Sequence, residues 1–174
     1  MYMNEVREIV TKAVVAKGKK VMHISHELHT TAHPYSILGC WIINHEFEAT
    51  KKENLIDIDG TLEVNIWYST EENTKTDVLR EKVSYHKDIK VKKIVNDYLK
   101  NSDDVLAKIL KHPTVTNAKI VEDIIYLDLE FEILAEVIGE TKMQVTVFTP
   151  LENQEDDIED LDIEVNEDFL SVKE

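Results

Sequence analysis

Apolar and polar residues alternate along several stretches of the chain, which is the pattern of a β-strand with one buried and one solvated side. The clearest example is residues 125–133, IYLDLEFEI, in which every odd position is apolar. The same alternation recurs in residues 61–69 (TLEVNIWYS) and in residues 142–148 (KMQVTVF). Together with weaker repeats, the pattern predicts about seven or eight short strands.

Turn-forming residues separate these stretches. Asp59-Gly60 is a dipeptide typical of a tight hairpin, and it is predicted to join the strand before it to residues 61–69. Glu72-Asn73 is predicted to lie in the next turn, and Gly139 to mark a turn or bend between two further strands. These signals favour antiparallel pairing.

One segment, residues 102–112 (SDDVLAKILKH), is predicted to be helical. Ser102 can cap its first turn, the two acids that follow suit the positive end of the helix dipole, and Pro113 ends it. The opening residues 7–20 are ambiguous and are interpreted as a helical turn followed by a strand. The predicted fold class is mainly β, an antiparallel sandwich or barrel-like body with one short α-helix.

The charge is distributed unevenly between two parts of the chain. The net charge of the 174 residues is −15, and residues 151–174 hold eleven of the 35 acids but one of the 20 basic residues, a net charge of −10. We therefore expect a β-rich body at residues 1–150 and an acidic, disordered C-terminal tail at residues 151–174. Such a balance argues against nucleic acid as a partner, because nucleic-acid-binding proteins present clustered Lys and Arg.

The tail also contains apolar residues, which a purely solubilising segment does not need. Two interpretations stay open: a charged brush, or a linear motif whose apolar residues bind a partner while its acids steer it toward basic surfaces. The candidate partner-binding residues are Ile158, Leu161, Ile163, Phe169 and Leu170.

Several classes of function lack their sequence signals. No stretch has the pattern of a secretory signal or a membrane span, so we expect a location inside a cell. Phosphate-binding motifs are missing, so we expect no nucleotide site. Cys40, the single cysteine, allows no internal disulfide, although a disulfide between two chains stays open. On a regular strand Cys40 and His45 face opposite sides, which disfavours a nucleophile and base pair.

Four histidines lie close together in residues 21–34, VMHISHELHTTAHP. Imidazoles bind transition metals when three or four converge. A helix would place His23, His26, His29 and His33 within roughly a third of its circumference, whereas a strand would turn His26 to the opposite face. A metal-binding module is therefore an alternative function, beside the interpretation of polar residues exposed along a strand and loop.

Six segments along the chain carry a resemblance to a known family. They are REIVTKAVVAKGK (7–19), SILGCWIINH (36–45), VNIWYS (64–69), NTKTDV (73–78), LAEVIGETK (134–142) and NEDFL (166–170). In this order, over essentially the whole chain, they resemble the CotE family of outer spore coat morphogenetic proteins from endospore-forming bacteria.

This resemblance implies a structural role without an enzymatic activity and without a cofactor. Proteins of the family assemble in the mother-cell cytoplasm as a layer around the forespore and end in the outer coat of the spore. The implied partners are other copies of the same chain, the basement-layer coat protein SpoIVA, and other outer coat proteins. The acidic C-terminal segment is implied to capture those coat proteins, and the rest of the chain to self-assemble.

Overall fold

The computed structural model describes residues 2–95 and 103–150, and the regular secondary structure in these residues consists of β-strands. The strands are longer than the short strands that the sequence predicts. They are β1 (Tyr2–His29), β2 (Ser36–Lys52), β3 (Leu55–Thr70), β4 (Lys75–Lys90), β5 (Lys92–Lys93), β6 (Asp104–Val121) and β7 (Ile124–Pro150).

The strands form two sheets. One has four strands in the order β5-β1-β7-β6, and the other has three strands in the order β2-β3-β4. β2, β3 and β4 follow one another in sequence and pair antiparallel, and β6 pairs antiparallel with β7. β1 pairs antiparallel with β5, which is distant in sequence. The predicted mainly β, antiparallel fold is confirmed, and within the described residues neither sheet closes into a barrel.

Both sheets contribute one face to a single hydrophobic core, so the core has the arrangement of a sandwich. In β7 the odd residues from 125 to 137 are buried, which confirms the alternation in IYLDLEFEI. In β3 the even positions from 56 to 68 are likewise buried. The largest fully buried side chains include Tyr68, Phe131, Met22, Leu28, Ile66 and Ile89.

The chain divides into two compact units. Residues 10–143 form one unit, which contains the whole hydrophobic core. The described residues of the other unit are 2–9, the first part of β1, and 144–150, the last part of β7.

The helix predicted at residues 102–112 is wrong: residues 104–112 belong to β6, and Ser102 lies outside the described residues. Val105 and Ala107 pack against the core and Ile109 is half-buried, in strand alternation with Leu106 and Leu110, which are exposed. The backbone of β6 pairs with β7 from Asp104 onward, so tertiary pairing overrides the local helix signals. Pro113 lies within this edge strand, where register shifts against β7 accommodate it.

Three other local predictions fail and one succeeds. Residues 7–20 are strand throughout, without the predicted helical turn. Asp59-Gly60 and Gly139 lie inside β3 and β7 rather than in turns. A Cβ atom at Gly60 would lie 2.4 Å from the Tyr85 ring, so this glycine makes room for an aromatic side chain. The turn predicted around Glu72 and Asn73 is confirmed, because residues 71–74 link β3 to β4.

Candidate assembly surfaces

Polar pairs join neighbouring strands on one part of the outer face of the four-stranded sheet, around Asp128 and Glu130. On β7, Asp128 accepts hydrogen bonds from Ser25 of β1 at 2.7 Å and from Asn117 of β6 at 3.0 Å. Glu130 is 2.6 Å from the Lys111 ammonium, which lowers the pKa of this carboxyl. Because these groups already have partners and are solvated, this part of the face offers little free energy for association.

The outer face of the three-stranded sheet is different, because two tryptophans lie exposed on it. The rings of Trp41 and Trp67 meet edge to face with centroids 5.9 Å apart, and the two residues are 53% and 47% exposed. A Cβ atom at Gly39 would lie 2.8 Å from the Trp41 ring, so the indole lies over this glycine. Ile43 and Val78 are also exposed and flank the tryptophans.

The strand register aligns aromatic and basic residues across this sheet. Trp41 pairs with Asn65, which pairs with Arg80, and Trp67 pairs with Val78. We call the surface formed by Trp41, Ile43, Trp67, Val78 and Arg80 the tryptophan face. Contiguous exposed apolar surface with aromatic and Arg residues is typical of protein interaction sites.

Between the sheets, an aromatic cluster surrounds His45. Its ring lies 5.1 Å from the Phe131 ring and 5.8 Å from the Tyr85 ring, and its Nε2 is 2.7 Å from the Tyr85 hydroxyl. Its Nδ1 is buried without a hydrogen-bond partner in the described part of the chain. The pKa of His45 is lowered, chiefly by burial and to a smaller extent by the nearby His112. Burial also raises the pKa of Tyr85. The cluster therefore favours neutral His45.

We expect the protein to lose stability on acidification because of His45. Its pKa is lowered in the folded state, so below about pH 6.5 the unfolded chain binds more protons and the free energy of unfolding falls. Replacement of His45 by Gln or by Phe is expected to reduce the number of protons taken up on unfolding in this pH range by up to about one. Urea unfolding followed by circular dichroism between pH 7.5 and 5.5 measures it. An unchanged dependence in both variants would contradict the assignment.

Cys40 and His45 lie on the same side of β2, contrary to the prediction from regular alternation. A register shift against β3 between Ile43 and Glu46, with Asn44 at a φ of 51°, adds a residue that turns His45 inward. His45 nevertheless bonds Tyr85, and burial raises the pKa of Cys40 to about 11. A thiol with this pKa is protonated at neutral pH, which disfavours both nucleophilic attack and an interchain disulfide.

The four clustered histidines do not converge. His23 lies 3.7 Å from Glu130, His26 lies 2.7 Å from Glu81, and His33 pairs with Asp123 after the end of β1. β1 is a strand here, so the condition for a shared metal site, a helix, is not met. Within residues 2–95 and 103–150 there is no group of three or more His, Cys, Asp or Glu that could hold a metal ion.

The candidate partner-binding residues of the tail, Ile158, Leu161, Ile163, Phe169 and Leu170, lie outside the described residues. In the described part of the chain, no helix has the length and apolar character required to span a membrane.

Comparison with known proteins identifies one family. The model of the family described as outer spore coat protein E, CotE, matches residues 5–173, which is nearly the whole chain. No curated protein and no solved structure matches the chain significantly.

Proposed function

Because the chain belongs to the CotE family of outer spore coat proteins, we propose that it is a non-enzymatic scaffold that assembles into a coat layer and holds other coat proteins there. The observation that carries this proposal is the family match over residues 5–173. The family is a structural one, and its location is the outer coat of the spore. In the proposed sequence of events, assembly begins in the mother-cell cytoplasm, on the basement-layer protein SpoIVA.

The tryptophan face is proposed as a surface of self-association with a second copy. A twofold axis parallel to the strands, between two such faces, brings β2 of one copy opposite β4 of the other. Because Trp41 and Arg80 lie in the same row across the sheet, Trp41 of one copy then lies opposite Arg80 of the other. Such a pairing of an aromatic ring with a cation stabilises interfaces. The contact would also remove both indoles from water. These features support an association surface on the β-rich body, residues 1–150.

Electron microscopy with static light scattering, in physiological salt, tests this proposal. The wild type is expected to form large regular assemblies, and Trp41→Ser with Trp67→Ser is expected to reduce the mean particle mass at least about tenfold, because the buried aromatic area is lost. The control is Leu106→Ser with Val121→Ser, which removes two exposed apolar side chains of the other sheet. Circular dichroism confirms folding of both variants.

The two ways in which this test can fail have different meanings. A wild type that stays a monodisperse monomer contradicts self-assembly of the purified chain. Assemblies that persist in the tryptophan variant, or vanish equally in the control, contradict only the choice of surface.

The acidic tail, residues 151–174, is proposed to recruit other outer coat proteins. Its net charge of −10 steers it toward basic partners, and its apolar residues supply affinity that charge alone does not. The proposed contacts are Ile158, Leu161, Ile163, Phe169 and Leu170.

A further inference from the structure

Five lysines border one groove of a protein whose net charge is −15. Lys17 and Lys19 come from β1, Lys90 from the end of β4, and Lys92 and Lys93 from β5. β1 and β5 pair here, with Lys17 opposite Lys92, so the register itself concentrates positive charge. The groove encloses about 680 Å³. We call it the lysine groove.

Apolar side chains form the rest of the lysine groove. Ile94 and Leu110 are 56% and 46% exposed, and Leu134, also a lining residue, is half-buried. Lysine stems can cover such surface while their ammonium groups stay in water. One lysine of the rim, Lys19, has an acidic partner, because its ammonium is 3.3 Å from the Glu132 carboxylate. The groove thus presents an apolar floor within a cationic rim.

We propose that the lysine groove binds the acidic C-terminal segment, residues 151–174, of a second copy of the chain. The segment carries a net charge of −10, opposite to the charge of the rim. Its apolar residues recur between the acids, so one stretch can place carboxylates on the rim and apolar groups on the floor. Twenty-four residues span up to about 80 Å when extended, enough to reach a neighbouring copy.

An apolar floor favours a peptide over nucleic acid as the occupant. A phosphate backbone satisfies lysines but gives Ile94, Leu110 and Leu134 nothing apolar to contact. The groove also has no Arg or aromatic residue among its lining residues to read or stack a base. The net charge of the whole chain further opposes the approach of a long polyanion.

This contact rests on the self-assembly proposed above and adds a second link to it. A tail of one copy in a groove of the next is a head-to-tail interface, which propagates into rings or open polymers instead of ending at a dimer. A body without the tail would still associate through the tryptophan face, but without this salt-sensitive link. A tail held in a groove is also withheld from other coat proteins, so assembly and recruitment compete for it.

Fluorescence anisotropy of a labelled synthetic peptide of residues 151–174, titrated with the full chain, tests the proposal. We expect saturable binding that weakens about tenfold or more between 0.05 M and 0.5 M salt, because several exposed charges contribute. Lys17→Glu with Lys92→Glu is expected to weaken binding at least about tenfold. The control, Lys75→Glu with Lys119→Glu, changes the net charge equally at exposed sites outside the groove and is expected to stay within about twofold of wild type.

A second peptide, with its acids kept and Ile158, Leu161, Ile163, Phe169 and Leu170 changed to Ser, tests the apolar floor and is expected to bind about tenfold more weakly. The proposal is overturned if the wild type does not bind the peptide, if both lysine variants bind alike, or if single-stranded DNA competes as well as unlabelled peptide. Light scattering of the same wild-type sample separates the two proposals. Assemblies without peptide binding contradict the groove and leave self-assembly standing. Specific peptide binding by a chain that stays monomeric upholds the groove as a site for this segment but contradicts both self-assembly and the link between copies.

Discussion

Replacement of Phe131 by Ala is expected to lower the free energy of unfolding by about 4 kcal/mol. Phe131 is fully buried in β7, and its ring lies 5.0 Å from Tyr85 of β4 and 5.1 Å from His45 of β2. It thus fills the space between the two sheets. The loss combines the transfer free energy of the ring with the cavity left among rigid aromatic neighbours.

Urea unfolding followed by far-ultraviolet circular dichroism measures this change in Phe131→Ala. Tyr35→Ala is the control, since it removes an aromatic side chain that is 53% exposed and is expected to change the free energy of unfolding by less than about 1 kcal/mol. A loss at Phe131 no greater than that at Tyr35 would show that the sheets do not pack through this cluster.

Replacement of Lys51 by Ala is expected to lower the free energy of unfolding by about 3 kcal/mol. The Lys51 ammonium is 3.2 Å from the Asp103 carboxylate, and the two side chains are only 9% and 6% exposed. Lys51 is in β2 and Asp103 immediately precedes β6, so the pair connects the two sheets. Removing the cation leaves a carboxylate that is shielded from water, and that desolvation dominates the loss.

The matched control for Lys51→Ala is Lys75→Ala. Lys75 also pairs with a carboxylate, that of Glu71 at 2.7 Å, but both side chains are more than half exposed. Such a pair contributes about 0.5 kcal/mol or less, because water and salt screen it. Equal losses for the two variants, again measured by urea unfolding, would mean that burial does not set the strength of the Lys51 pair.

The mainly β class and the buried positions of β3 and β7 follow directly from local sequence. The alternation in residues 125–133 predicts which side chains of β7 are buried, because a strand presents successive residues to opposite faces. The turn at residues 71–74 also follows from its composition in part, because Asn73, a residue type that tolerates positive φ, adopts a φ of 69° there.

Features that depend on pairing with distant strands were not predictable in this way. Residues 104–112 carry helix signals, yet β7 supplies a partner for their backbone that a sequence pattern does not reveal. The inward position of His45 depends on one extra residue in β2, a local irregularity that reverses every prediction of facing beyond it. Gly60 resembles a turn glycine, and only the Tyr85 ring explains it as a strand residue.

The tryptophan face and the lysine groove differ in how far they can be predicted from the sequence. Trp67 occupies a polar position in the alternation of β3, beside Glu63 and Asn65, and an aromatic residue at a solvated position is a usable signal. The lysine groove has no such signal, because Lys17 and Lys92 are far apart in sequence and meet only through the pairing of β1 with β5.

The exposure of Trp41 and Trp67 determines what intrinsic fluorescence can report. They are the two tryptophans of the chain, both about half exposed and next to each other. Unfolding therefore moves neither indole from an apolar interior into water, and the emission maximum is a poor reporter of the core. Any molecule that covers their side of the sheet removes both indoles from water together. The wavelength of the emission maximum therefore reports contact with a neighbouring molecule better than it reports unfolding of the chain.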